Sequence, residues 1–324
     1  MLSFRFRTAA VLLAAGAALA ATALCTAPAA QARALPVDYD FALGALAGFA
    51  HPQTPPPGAD NGCRPSAAHP EPVILVNGTF ANQDDNWQAA SPLLANHGYC
   101  VFTFNYGGPS ASSIVQSTGD IATSAGQLGT FVSTVLAQTG AAKVDLVGHS
   151  QGGMMPRYYL KFDGGAAHVD KLVALAPSNH GTTLDGLTAL VTALGQVLGS
   201  GLVNGAINAL CTACVQQETG SPFLANLNAG GETVAGVSYT VIESRYDEVV
   251  TPYTSAFLSG SGSGVRNILL QNQCALDLSD HLEIAADPVA LADVLNALDP
   301  AHPVRVPCLT VLPITGPVGP VPSF

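Results

Sequence analysis

The segment Gly148-His149-Ser150-Gln151-Gly152-Gly153 carries a serine in a setting where it can act as a nucleophile. Lys143 to Val147 before it reads as a buried strand, and Met154 to Phe162 after it as a helix. A serine at such a strand-to-helix turn stands clear of the sheet, and the flanking glycines admit the tight backbone and the close approach of the helix. Its hydroxyl attacks a carbonyl carbon only when a base takes its proton and an acid orients that base.

In that arrangement the acid and then the base follow the serine along the chain. Two histidines lie late enough, His281 and His302. His302 falls in a tail beyond the last helix, whereas His281 falls in the loop between a strand ending near Leu270 and a helix opening at Asp287. His281 is therefore the expected base. For the acid the candidates are Asp163, Asp170, Asp185, Asp247, Asp277 and Asp280. Asp163 and Asp170 precede a strand and so lie at the wrong sheet edge. Asp185 belongs to an apolar helical insertion, and Asp277 and Asp280 are too close to His281 to approach it from another strand. Asp247 follows a strand at the carboxyl edge and is preferred, with Glu248 as its competitor.

The tetrahedral intermediate needs two donors at its oxyanion. Gln151, next after the serine, supplies one backbone N–H. The loop Asn77-Gly78-Thr79-Phe80 supplies the other from Thr79, whose hydroxyl is a possible third donor. Asn77-Gly78-Thr79 is also a glycosylation sequon, a weaker reading on a loop of this kind.

These residues must be held by a frame. Val73–Val76, Cys100–Phe104, Val144–Val147, Leu172–Ala176, Tyr239–Ile242 and Asn267–Leu270 are short apolar runs without polar alternation, as expected of parallel strands covered on both faces. Helical stretches alternate with them: one from near Asp85 to His97, one over Thr118–Gln138, and one from Asp287-Pro288 to about Leu298. Alternation of this kind makes an α/β fold with a mostly parallel sheet and helices on both faces. Residues 182–236 break the rhythm. Leu184, Leu187, Leu190, Val191, Leu194, Val197 and Leu198 recur at helical spacing with almost no charge, which fits either buried core helices or a helical cap over the site. Under the cap reading, Leu184, Leu187 and Leu190, with Phe80, would meet the acyl part of a substrate.

The motifs together resemble the secreted bacterial class 2 lipases of the α/β-hydrolase fold. The resemblance rests on V-N-G-T-F at 76–80, G-H-S-Q-G-G at 148–153, A-P-S-N-H-G-T at 176–182, R-Y-D-E-V-V-T-P-Y at 245–253 and D-H at 280–281. It implies a Ser150, Asp247, His281 triad, an oxyanion hole at Thr79 and Gln151, ester hydrolysis, and no metal or cofactor. Two departures stand out: Asn77-Gly78 replaces His-Gly, and A-P-S-N-H-G-T replaces T-P-N-H-G-T. His180 of the latter reads as a structural or pocket-lining residue. The expected activity is triacylglycerol hydrolysis. A cutinase-like polyester hydrolase, a short-chain carboxylesterase, an acyl transferase and a catalytically silent lipid-binding protein are the alternatives.

Composition narrows the partners. The 324 residues include 11 Lys and Arg against 22 Asp and Glu, a formal charge of −11, so the basic footprint of nucleic-acid binding is missing. With 48% hydrophobic and 10% charged residues the chain is the opposite of a disordered one. Arg5 and Arg7, the apolar run from Ala9 to Leu24 and the small residues near 30–34 form a secretory signal, so residues 1–34 are expected to be removed and 35–324 to form one catalytic domain. A secreted monomer with no later membrane span is expected. Cys63, Cys100, Cys211, Cys214, Cys274 and Cys308 then remain, an even number that reads as disulfides between neighbours: 63–100, 211–214 and 274–308.

Overall fold

The computed structural model describes residue 2 and residues 34–60, 62–201, 211–260 and 264–324. The chain divides into residues 1–33 and 34–324; the segment expected to be a signal, residues 1–34, lies outside the described residues apart from residues 2 and 34. Within the larger unit, six strands form one parallel sheet: β1 (Val73–Val76), β2 (Val101–Thr103), β3 (Val144–His149), β4 (Val169–Leu175), β5 (Ser238–Glu243) and β6 (Val265–Leu269), in the order β2-β1-β3-β4-β5-β6. β1 and β3 are buried at every position, which is why they read as unbroken apolar runs. The strand order reverses direction at β1. Right-handed crossovers therefore carry the β1–β2 connection and the β2–β3 connection over opposite faces.

The helices follow the sequence in most places, and two differences have local causes. α1 (Phe41–Phe49) precedes the sheet. The segment from Asp85 was expected to be helical, yet α2 covers only Ala90–Asn96. Asn82 Oδ1 accepts the N–H groups of Asp84 and Asp85, and Asp85 Oδ1 accepts that of Asn82, so side chains hold this stretch in turns. α3 (Ile121–Thr139) is capped by Asp120 and stopped by Gly140 at φ +75°. After β3 the expected single helix is two: α4 (Gln151–Met154) and α5 (Pro156–Phe162), because Pro156 has no N–H to continue the ladder. α6 (Leu184–Leu198) is followed by α7 (Thr212–Gln216) and α8 (Pro222–Asn228), and α9 (Pro288–Leu298) packs on β4 and β5.

Disulfides join Cys63 to Cys100, Cys211 to Cys214, and Cys274 to Cys308. They tie the Pro-rich lead-in to the start of β2, close the first turn of α7, and hold the C-terminal segment to the loop after β6. Because all six strands run the same way, the loops after β1, β3, β5 and β6 emerge together at the carboxyl edge, where sites of open α/β sheets gather.

Candidate active site

Ser150 sits between β3 and α4 with φ +54° and ψ −123°, a left-handed conformation that L-residues rarely adopt. The neighbouring glycines have no alternative. A Cβ on Gly148 would lie 1.9 Å from the carbonyl oxygen of Gly152, and one on Gly152 would lie 2.0 Å from that of Val76. The turn is therefore clamped between its own helix and the adjoining strand, and the backbone N–H of Ser150 is held by Leu175 O at 2.9 Å.

The loop after β5 brings Asp247 to His281, with Asp247 Oδ2 2.8 Å from His281 Nδ1. Asp247 Oδ1 accepts the N–H groups of Val249 and Val250 at 2.7 Å each, so one oxygen anchors the carboxylate and the other faces the ring. Glu248, the competing acid, instead accepts the backbone N–H of His281 at 3.3 Å. His281 is fully buried, and among the described residues its Nε2 has no hydrogen-bond partner. Burial disfavours its charged form, but the Asp247 carboxylate outweighs this with help from Glu248 and Asp280. The net result is a pKa raised above 6.5. His302, by contrast, is paired with Asp299 on the surface.

The remaining candidate acids have other tasks. Asp277 Oδ1 accepts from Ser279, Asp280 Oδ1 accepts from the N–H groups of Glu283 and Ile314, and Asp170 pairs with Lys171 and Lys143. Asp185 lies on α6 and is exposed.

The loop after β1 is held by a chain of bonds that pattern reading missed. Gly78 N–H donates to Asn86 Oδ1 at 2.7 Å, and the Asn86 amide donates to His149 Nδ1 at 3.2 Å. His149 Nε2 in turn donates to the carbonyl of His281 at 2.8 Å. Burial, with His281 nearby, pushes the His149 pKa down to about 3, so this ring is neutral and each nitrogen has one fixed role. The ring centroids of His149 and His281 lie 5.1 Å apart, which brings His281 to the residue preceding Ser150. A Cβ on Gly78 would lie 3.2 Å from Ser150 Cβ, so the same loop passes directly beside the serine.

Among the described residues, the backbone N–H groups of Thr79 and Gln151, the expected oxyanion donors, have no acceptor in the protein. The Thr79 hydroxyl is not: it donates to Gln151 Oε1 at 2.7 Å, so the third donor expected from the sequence is already committed. Gln217 adds to this pair by donating through Nε2 to Thr79 Oγ1 at 2.9 Å. Tyr106 Oη donates to the carbonyl of Asn77 at 2.5 Å and fixes the end of β1. The Asn77 side chain is fully buried, which leaves the sequon without access for a glycan. Next to Asp247 lies Glu243, whose buried carboxyl is pushed well above the usual range by desolvation and by the Asp247 charge.

Of the apolar residues expected to meet substrate, Phe80 is buried and takes φ +69°, Leu190 is buried in the core, and Leu187 is half-buried. The Leu184 side chain lies outside the described ones, as do residues 202–210 of the second apolar stretch. The start of α6 is anchored to the acid loop, since Thr182 Oγ1 donates to Val249 O and a Cβ on Gly186 would strike that same oxygen. His180 bonds Ser255 O at 2.9 Å and Glu232 Oε1 at 2.8 Å, beside Arg157, whose guanidinium bonds Asn179 Oδ1 at 3.0 Å. Together these side chains brace the 176–182 turn. No cluster of His, Cys, Asp and Glu suited to a metal occurs among the described residues.

Comparison with known proteins gives the same direction. Residues 70–291 match the family described as lipase (class 2). Triacylglycerol lipases from Pseudarthrobacter phenanthrenivorans and Burkholderia plantarii are each 41% identical over 97 residues, covering 28% of this chain and 28% and 25% of theirs. The matched region thus spans about a quarter of the length of those relatives. Among solved structures, Aspergillus fumigatus lipase B is 25% identical with a TM-score of 0.59, covering 78% of this chain and 56% of that one.

Proposed function

The chain belongs to the class 2 lipase family, and from that premise we propose that it is a secreted carboxylic-ester hydrolase that cleaves triacylglycerols through Ser150, His281 and Asp247. The observation that carries the reading is the 2.8 Å bond from His281 Nδ1 to Asp247, which leaves Nε2 unpartnered on a ring 5.1 Å from that of His149, the residue before a serine on a left-handed turn.

Ser150 Oγ attacks the ester carbonyl while His281 Nε2 takes its proton. Asp247 keeps the hydrogen of His281 on Nδ1 and stabilises the imidazolium as it forms. The negative charge that develops on the carbonyl oxygen is met by the Thr79 and Gln151 N–H groups, which need no reorganisation to receive it. His281 then returns the proton to the leaving alcohol, giving an acyl-serine. Water attacks that ester by the same route, with His281 as its base, and the carboxylic acid departs. Every step uses side chains and backbone amides of this chain.

Apolar residues of the 182–236 segment, Leu187 among them, are assigned to the acyl chain because the start of α6 is tied through Thr182 to Val249 on the loop that carries Asp247. Secretion is supported by the basic and apolar N-terminal pattern together with three disulfides. Among the described residues no helix is long and apolar enough to cross a membrane.

Release of fatty acid from emulsified triolein and tributyrin, and of p-nitrophenol from acetyl to palmitoyl esters, tests the substrate class. Turnover of both emulsions and of long-chain esters is expected. Turnover of soluble short-chain esters alone would replace the lipase reading with a carboxylesterase.

A further inference from the structure

The Cys211-x-x-Cys214 segment and the glutamine that follows it have no part in the reaction as described, yet they reach its most sensitive point. Gln217 is 3% exposed and lies just after α7. Its Nε2 lies 2.9 Å from Thr79 Oγ1, 3.1 Å from Gln151 Oε1 and 3.2 Å from Ala213 O, while its Oε1 accepts the Ser178 hydroxyl at 2.8 Å. Thr79 and Gln151 are the two residues whose backbone N–H groups are free for the oxyanion. Their side chains are joined directly, Thr79 Oγ1 donating to Gln151 Oε1 at 2.7 Å, and Gln217 closes a triangle with them. Residues 72, 66 and 138 positions apart in sequence thereby become one polar unit.

The platform beneath Gln217 is itself immobilised. The Cys211–Cys214 bond closes the first turn of α7. Ala213 N–H donates to Thr118 O at 3.1 Å, Gln216 Nε2 donates to Asp120 Oδ2 at 2.7 Å, and Gln216 Oε1 accepts the N–H of Ile121 at 2.8 Å. These bonds fix α7 to the start of α3, and the backbone of Gln217 is held through Thr182 N–H to its carbonyl at 2.9 Å.

Resting on the hydrolase reading above, we propose that Gln217 is a positioning residue for the oxyanion hole: it holds the Thr79 loop against Gln151 so that both amides aim at one point. It acts through these two residues and not on the substrate. Amides aimed in advance at a developing charge stabilise the transition state, whereas ground-state ester binding depends little on them. Loss of Gln217 is therefore expected in kcat and not in KM. The stapled C-x-x-C turn acquires a purpose, as the rigid base from which Gln217 reaches across.

The test compares wild type, Gln217→Leu, Gln217→Glu and Ser150→Ala in the full chain. Hydrolysis of p-nitrophenyl butyrate is normalised to active sites titrated with a fluorogenic phosphonate, and inhibition by an alkylboronic acid is measured in parallel. Assayed at alkaline pH, where the introduced carboxyl is ionised, glutamate keeps the volume and the acceptor but cannot donate, so both Gln217 variants are expected to lose roughly 10- to 100-fold in kcat per titrated site with KM within about twofold of wild type. Boronic-acid affinity should fall by the same factor, because its tetrahedral adduct uses the same amides. Fewer titratable sites at unchanged kcat per site would reveal a packing role and overturn the assignment, as would full activity in Gln217→Glu. A wild type without Ser150-dependent turnover would overturn the hydrolase reading and this assignment together. An active wild type whose Gln217 variants keep its kcat and its boronic-acid affinity would overturn this assignment alone.

Discussion

His149 donates from Nε2 to the backbone carbonyl of His281 at 2.8 Å, across 132 positions of sequence. The residue preceding Ser150 thus holds the main chain of the proposed base, and through Asn86 it also holds Gly78 on the loop after β1. Replacing His149 with Phe would preserve the bulk and remove both bonds. The buried carbonyl of His281 and the Asn86 amide would be left unpaired, at about 1–3 kcal/mol each. A lower thermal midpoint and roughly tenfold lower kcat are expected from calorimetry and ester kinetics. An unchanged midpoint would mean that this relay carries no load.

The pH profile of hydrolysis reports on His281, which must be neutral to take the serine proton. Its pKa lies above 6.5 because Asp247, with Glu248 and Asp280, outweighs burial and the neighbouring His149 is neutral. Activity should therefore be low in acid and rise through a limb centred above pH 6.5. In Asp247→Asn the main charge favouring the imidazolium is gone, so the limb should move to lower pH while kcat falls by about 10³–10⁴. A limb that stays in place would show that Asp247 does not face the titrating group.

Ser150 is held at φ +54°, where a Cβ is strained by about 1–3 kcal/mol. Ser150→Gly relieves that strain at some cost in backbone entropy, leaving a net gain of about 1 kcal/mol. Denaturant unfolding should find Ser150→Gly more stable than Ser150→Ala and than wild type, while both variants are inactive. Equal stabilities would remove the argument for a strained nucleophile.

Stability should fall as the solution is brought from mildly acidic to neutral. Burial raises the carboxyls of Asp85, Glu243, Glu283 and Asp287 well above their ordinary values, and those of Asp84 and Asp293 to about 6. At each one the folded chain keeps a proton that the unfolded chain releases above its ordinary pKa. Stability therefore declines as pH rises from about 4 towards 6 and above. Asp120, Asp299 and Glu232 shift the other way but are partly exposed and screened, and the lowered pKa of buried His149 opposes the trend only below about pH 6.5, as one group against six. A thermal midpoint higher at pH 5 than at pH 8 is expected; the reverse order would contradict these shifts.

What the sequence disclosed was governed by range. The setting of Ser150 was legible because strand, glycine turn and helix occupy adjacent residues, and β1, β2 and β3 because burial on both faces leaves unbroken apolar runs, whereas the edge strand β6 carries the exposed Arg266 and Asn267 and starts earlier than its apolar residues suggest. The halt at Met155 follows from Pro156 and was visible in principle, while the turns over 82–85 depend on side chains choosing backbone partners over a helix. Gln217, Asn86 and the partner of His149 were not legible, because a neutral polar residue shows no pattern until the fold supplies its partner. The alternation of apolar residues in 184–198 fixed a helix but not what it covers.

Covalent capture of the nucleophile bears most directly on the central claim. The chain would be treated with a fluorophosphonate, digested and mapped by mass spectrometry, with ester hydrolysis followed in the same samples. One phosphonyl group on Ser150, activity lost in proportion to labelling, and neither label nor activity in Ser150→Ala are predicted. Labelling at another residue, or hydrolysis that survives in Ser150→Ala, would contradict the account.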